Sequence, residues 1–142
     1  MAQSVHLELT ADGAQIEGES SVLSLGRENT IECIRYSEDE STITIEKRID
    51  RASPRLMKAR HGGEALDATF RFYRTSFEGE TTTEHYFTVT MKGAKVTSLV
   101  RRSPDVIDPD QAIRPAVEEL VFEAHTRTWT HVPSEATFAV EP

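Results

Sequence analysis

One stretch, Thr42 to Arg74, restricts the fold of this chain more than any other. Thr42 to Ile49 alternates Ile43, Ile45 and Ile49 with the charged Glu46 and Arg48, the two-residue period of a half-buried strand. Ser53-Pro54 follows, which predicts an N-cap hydroxyl ahead of a proline whose fixed φ suits a first helical turn. Leu56, Met57 and Ala59 give that helix a side able to cover a core, and Gly62-Gly63 supplies a left-handed stop. Leu66, Ala68, Phe70 and Phe72 then alternate with Asp67, Thr69, Arg71 and Tyr73 in a second long strand. The unit is strand, helix, strand, and no other part of the chain predicts a convincing helix.

The remaining segments read as strands and turns. Val5, Leu7 and Leu9 alternate with His6 and Glu8 ahead of an Asp12-Gly13 turn, whereas Ser20 to Gly26 has no clear period. Thr30 to Ser37 predicts a strand with Ile31 and Cys33 on one face and Ile34 and Tyr36 on the other, closed by the acidic turn Glu38-Asp39-Glu40. Gly79 interrupts a polar loop before Thr83 to Lys92, which places Phe87, Val89 and Met91 together. Gly93 is expected to end that strand, with Ala94 to Arg101 running back and using Val96 and Val100. Arg101 to Pro115 holds three prolines and reads as a long irregular loop of the kind that often touches a partner. Val117 to Thr130 is the longest strand candidate, with Leu120, Phe122 and Ala124 opposite Glu119, Glu123, His125 and Arg127, and Phe138 and Val140 mark a short last strand. About eight short antiparallel strands with one flanking helix predict a mainly β fold, a sandwich or barrel, in a single domain over residues 1–142. Closure into a barrel would hide edges that otherwise invite aggregation.

Composition narrows the function classes. Hydrophobic content of 37% with 28% charged residues is that of a folded globular chain. The net charge of -8 argues against nonspecific nucleic-acid binding, which needs a cation-rich surface. The charge is uneven: Lys47, Arg48, Arg51, Arg55, Lys58 and Arg60 stand against Asp50 alone, so this segment is +5 and the rest of the chain is -13. Two readings stay open, a solvated helix face or a basic patch that meets an acidic patch on another copy. Cys33 is the only cysteine, so an intrachain disulfide is impossible, and its apolar neighbours predict a buried structural thiol. No apolar run reaches bilayer-spanning length, and Met1 to Thr10 shows no signal-peptide pattern, so export would need another route.

Residues for chemistry are sparse. The seven glycines fit neither a P-loop nor a dinucleotide fingerprint, and Gly18-Glu19-Ser20-Ser21-Val22 lacks the closing glycine of a nucleophile elbow. His125 and His131 lie about 20 Å apart on an extended strand, too far to share an ion. His6, His61 and His85 could meet only through the fold. Glu118 and Glu119 alternate across a strand and offer no converging acid pair. The expectation is a non-enzyme with no metal and no cofactor.

Several segments together resemble the haemolysin-coregulated protein (Hcp) family, the tail-tube subunits of bacterial type VI secretion. Ile49-Asp50 with Ser53-Pro54 is the most specific piece, inside Glu46 to Leu56 and followed by Ala65 to Arg74. Val5 to Leu9 with Ile16 to Ser20 resembles the opening strand and its Gly-Glu-Ser turn, and Arg27 to Ile34 the second strand. His85-Tyr86-Phe87 with Ala94-Lys95-Val96, and Leu120 to Thr130 ending Thr128-Trp129-Thr130, are similar to later strands.

The resemblance implies a β-barrel with one helix, homohexameric rings, and rings stacked into a tube inside a contractile sheath. Members are structural; the tube is assembled in the bacterial cytoplasm, expelled toward target cells, and able to carry small effector proteins in its lumen. Sheath, spike and baseplate proteins are the implied partners, without membrane insertion. The family's lumen-facing serine falls at Ser37, and the basic stretch with Arg51, Arg55 and Lys58 is expected at a subunit or ring boundary with Glu38, Asp39 and Glu40. One departure is the loop after the second strand: only Glu38 to Ser41 stands where the family usually has a longer excursion. That argues against stacking through the usual contact and leaves ring formation untouched. A tail tube of another contractile system (phage-like or an extracellular injection particle), a monomeric ligand-binding barrel, and a hydrolase stay as alternatives.

Overall fold

The computed structural model describes residues 3–76 and 82–141, so Gly79 and its loop lie outside the described residues. Nine strands and one helix follow in order: β1 Gln3–Ala11, β2 Ala14–Ile16, β3 Ile31–Glu38, β4 Thr42–Arg48, α1 Ser53–Gly62, β5 Leu66–Thr75, β6 Thr83–Arg102, β7 Val117–Glu123, β8 Thr126–His131 and β9 Ala136–Val140. Each ladder is antiparallel. β1, β3, β4, β7, β6 and β5 pair in a closed circuit of six strands, with β2 added beside β1 and β8 and β9 added in turn beside β6. The expected barrel with one flanking helix is the architecture found.

The core follows the alternation. Leu7, Leu9, Ile31, Ile43, Ile45, Phe70, Met91, Leu120 and Phe122 fill the barrel, with Leu56 and Ala59 of α1 in the same cluster. Gly63, at φ 63, closes the helix with its N–H donating to the Ala59 carbonyl, as the glycine pair predicts.

Local irregularities explain where the sequence pattern misleads. β6 is one strand of 20 residues, not two. At Gly93 the φ of 65 bends the chain without reversing it, so residues 87–92 pair with β8 and residues 95–102 with β7. Conversely, the expected strand from Val117 to Thr130 is broken at Ala124-His125, where the chain leaves the barrel ladder for the outer one. A register shift between Cys33 and Arg35 inserts Ile34 as an extra residue. Tyr36 therefore packs on the core with Cys33 while Ile34 is exposed, against the expected phase. A second shift between Val96 and Ser98 turns Leu99 toward the core and Val100 out. Ile49, read as an inward strand residue, lies beyond the end of β4 and is exposed.

Residues 17–30, which include the Ser20 to Gly26 stretch without a clear period, cover the outer face of β1 and β5. They bury His6 and Tyr73, both of which the alternation places outside. Tyr73 donates to the Leu25 carbonyl at 3.1 Å under the Arg27 guanidinium, and His6 Nδ1 is 2.8 Å from the Thr30 hydroxyl. Gly18 is required there, because a Cβ would stand 2.5 Å from the Thr30 carbonyl oxygen.

Candidate functional site

The most unusual feature of the barrel is a buried ionic cluster at its β4–α1 corner. Lys47 and Glu118 occupy facing inward positions, and Lys47 Nζ donates to Glu118 Oε1 at 2.7 Å. The same ammonium meets Asp50 Oδ1 at 2.8 Å and donates to the Arg48 carbonyl at 2.8 Å and, more weakly, to the Ser53 hydroxyl at 3.3 Å. Ser53 donates its own proton to Glu118 Oε1 and accepts from the Asp50 N–H. Arg101 closes the other carboxylate oxygen through Nε at 2.9 Å and Nη2. Ser53 is thus the first residue of the helix and not its N-cap, a place held by Ala52. Its hydroxyl is drawn inward because the buried Glu118 carboxylate needs donors. Burial by itself would push the Glu118 carboxyl up, but the bonds from Lys47, Ser53 and Arg101 hold it below its ordinary value. Every charge here has a partner, so the cluster locks α1 to β4, β6 and β7 and leaves no free acid or base for catalysis.

The residues expected at interfaces divide into engaged and free. Arg51 donates from Nε to the Gly18 carbonyl at 2.6 Å and from Nη2 to Asn29 at 2.7 Å, tying residues 17–29 to the helix corner. Arg55 grips Glu64 through two bonds of 2.7 and 3.0 Å. Lys58 and Arg60 are exposed, and no side-chain bond joins either to another described residue. On the acidic side, Glu38 accepts from the Tyr36 hydroxyl at 2.9 Å, Trp129 Nε1 at 2.8 Å and Arg127 at 3.2 Å. Asp39 closes the hairpin between β3 and β4 by accepting from the N–H groups of Ser41 and Thr42. Glu40 is exposed at the tip. Ser37 faces solvent opposite Thr44, with its hydroxyl unengaged among the described residues.

The histidines do not converge with one another among the described residues. His6, His85 and His131 each bond a hydroxyl of Thr30, Thr88 and Ser134 respectively, and desolvation lowers the proton affinity of His6 and His85. Among the described residues no three His, Cys, Asp or Glu side chains are placed to hold a metal. Cys33 is half-buried, less than expected, yet desolvation pushes its thiol up to about 12, so it stays protonated at neutral pH. The barrel interior is packed with side chains, and the clefts found among the described residues lie at the surface.

The buried cluster was legible in part. Lys47 continues the inward phase of Ile43 and Ile45, and Glu118 that of Leu120 and Phe122, a pairing that reading Lys47 only as part of a basic run overlooks.

Known proteins share this construction. The structure superposes on the secreted protein Hcp3 from Pseudomonas aeruginosa with a TM-score of 0.81 at 22% identity, covering 99% of this chain and 98% of that one. It superposes on the Hcp1 protein from E. coli EAEC 042 with a TM-score of 0.83 at 24% identity over 99% of both chains. At those identities the likeness establishes the fold. In sequence, the chain is 34% identical over 90 residues to the "Major exported protein" of Pseudomonas aeruginosa, a match covering 63% of this chain and about half (51%) of that relative's length. The family model described as "Type VI secretion system effector, Hcp" matches residues 8–131. With most of its length inside that match, on the same closed barrel with one helix, the chain belongs to the Hcp family of type VI secretion proteins.

Proposed function

We propose that copies of this chain form six-membered rings that stack into the inner tube of a type VI secretion apparatus. The family match over residues 8–131 carries this reading. The Hcp family is a structural, secreted family rather than an enzyme family, which fits a task done by shape. On this reading the tube is released from the bacterium, its lumen lined in part by Ser37 and open to small effector proteins. The sheath, spike and baseplate surround it.

The basic corner with Arg51, Arg55 and Lys58 and the acidic hairpin Glu38-Asp39-Glu40 lie at subunit or ring boundaries in this account. Because Arg51, Arg55, Glu38 and Asp39 are engaged within the chain, Lys58 and Glu40 are the members with charge to spare for a neighbour. The β3–β4 connection is a tight turn pinned by Asp39, so it supplies no long arm to the next ring. Multi-angle light scattering of the purified chain tests the reading. A species of six times the chain mass supports it, and a monomer at every concentration removes it.

A further inference from the structure

The loop between β6 and β7, residues 103–116, turns large aliphatic side chains to solvent: Ile107 is 89% and Ile113 87% exposed, with Val106 beside them. It is braced from within. Asp105 Oδ1 accepts from the N–H groups of Ile107 and Asp108, and the Asp108 carbonyl accepts from those of Gln111 and Ala112. The isoleucines are therefore held outward, and a braced aliphatic surface of this kind is a place where burial can be gained only against a partner. The loop carries Asp105, Asp108 and Asp110 against Arg114, so it is acidic.

Beside its root lies a mostly apolar cleft of about 430 Å³ lined by Ile49, Pro54 and Met57, with Asp50, Ser53 and Arg101 at its floor and side. The charges beneath cancel, Lys47 and Arg101 against Glu118 and Asp50. Next to Met57 on α1 stand the exposed Lys58 and Arg60, which no hydrogen bond or ion pair joins to another described residue, so this flank is basic. An acidic, apolar arm and an apolar cleft with a basic flank are complementary.

With the barrel axes taken along the axis of the proposed ring, their placement favours copies at one level. Arg48 faces Val117 across β4–β7 and Arg102 faces Val117 across β6–β7, so arm and cleft sit at the same end of the barrel. In a closed ring every subunit stands at one level, and neighbours meet through surfaces at that level. Head-to-tail stacking would instead join opposite ends. We infer that the 103–116 loop of one copy seats Ile107 and Ile113 in the Ile49, Pro54 and Met57 cleft of the adjacent copy in the same ring. This contact rests on the ring reading above and supplies its lateral clasp.

Oxidative cross-linking of the full chain carrying Met57→Cys and Ile113→Cys in a Cys33→Ser background tests it. The expected result is a ladder of covalent species up to six chains on a non-reducing gel, reversed by reductant and missing from either single variant. A product that stops at two chains means a two-fold, face-to-face pairing and overturns the inference. Rings intact by light scattering but without cross-links overturn the inference and leave the ring reading standing. A wild-type chain without rings removes both. Independently, Ile107→Asp with Ile113→Asp alters solvent-exposed side chains and leaves the melting temperature unchanged, while raising the concentration needed for rings by about ten-fold or more. Unshifted assembly in that variant contradicts the clasp.

Discussion

Lys47 and Glu118 are register partners on β4 and β7, and their side chains, both 0% exposed, meet at 2.7 Å in the wall of the barrel. Removing one charge takes from the other its closest partner in a dry site, leaving Glu118 with Arg101 or Lys47 with Asp50. Lys47→Met is expected to destabilise the fold by about 3–5 kcal/mol, and Glu118→Leu by a similar amount. The double variant should recover part of that loss, because the half-exposed Arg101 can return to water while Asp50 gives up its lysine and keeps the Ala52 N–H. Denaturant unfolding of the three variants measures this, and simple addition of the two single losses would contradict a coupled pair.

The same cluster sets a pH dependence. The Glu118 carboxyl sits below its ordinary value in the folded chain, so the unfolded chain binds more protons on acidification. The stability it contributes is complete above the ordinary carboxylate range and is lost as pH falls through the lowered value. From neutral pH down to about pH 3, urea midpoints of the wild type should fall more steeply than those of Glu118→Gln. Parallel decline in the two proteins would show that other carboxylates dominate.

Gly18 is held where a Cβ would meet the Thr30 carbonyl and the Ile31 Cα. Gly18→Ala must push residues 17–30 off the outer face of β1 and β5, at about 1–3 kcal/mol. Hydrogen exchange should then rise around Thr30, which bonds the buried His6. Unchanged exchange and stability would mean that the segment yields without strain.

Glu38 gathers the hydroxyl of Tyr36, the indole N–H of Trp129 and the guanidinium of the buried Arg127. Glu38→Ala leaves the Asp39 carbonyl as the one hydrogen-bond acceptor of Arg127 among the described residues and should destabilise the fold by about 1–3 kcal/mol. Because Trp129 is the only tryptophan, its fluorescence reports the same change directly. A variant with wild-type emission and stability would remove this anchor from the account.

Charge reversal at Lys58 probes the assembly surface without breaking a bond inside the chain. Lys58→Glu is expected to weaken ring formation at low salt, with the difference shrinking as ionic strength rises. Arg55→Glu combines that effect with loss of the Glu64 grip, so it should also lower the melting temperature. Sedimentation at two salt concentrations separates the two; a Lys58→Glu chain that assembles like wild type would place the boundary elsewhere.

Much of this fold was readable from alternation because one face of most strands meets a single core. Ile43 with Ile45, Leu66 to Phe70, and Leu120 with Phe122 all point inward as their period requires. The errors fall where one residue is added or one glycine bends the chain. Ile34 and Thr97 each shift the phase of everything after them, and Gly93 at φ 65 carries β6 onward where a turn was expected. Burial of His6 and Tyr73 was invisible because it comes from a distant segment with no period of its own. For the candidate site, a run of basic residues looks uniform in sequence. Three-dimensional pairing divides it into a buried lysine, three engaged arginines (Arg48, Arg51 and Arg55) and the exposed Lys58 and Arg60.

Negative-stain imaging of the purified chain, alongside its mass by light scattering, addresses the central claim most directly. The account predicts annular particles with six-fold class averages and an open centre, at a mass of six chains. Isolated protomers in every field and at every concentration would contradict it.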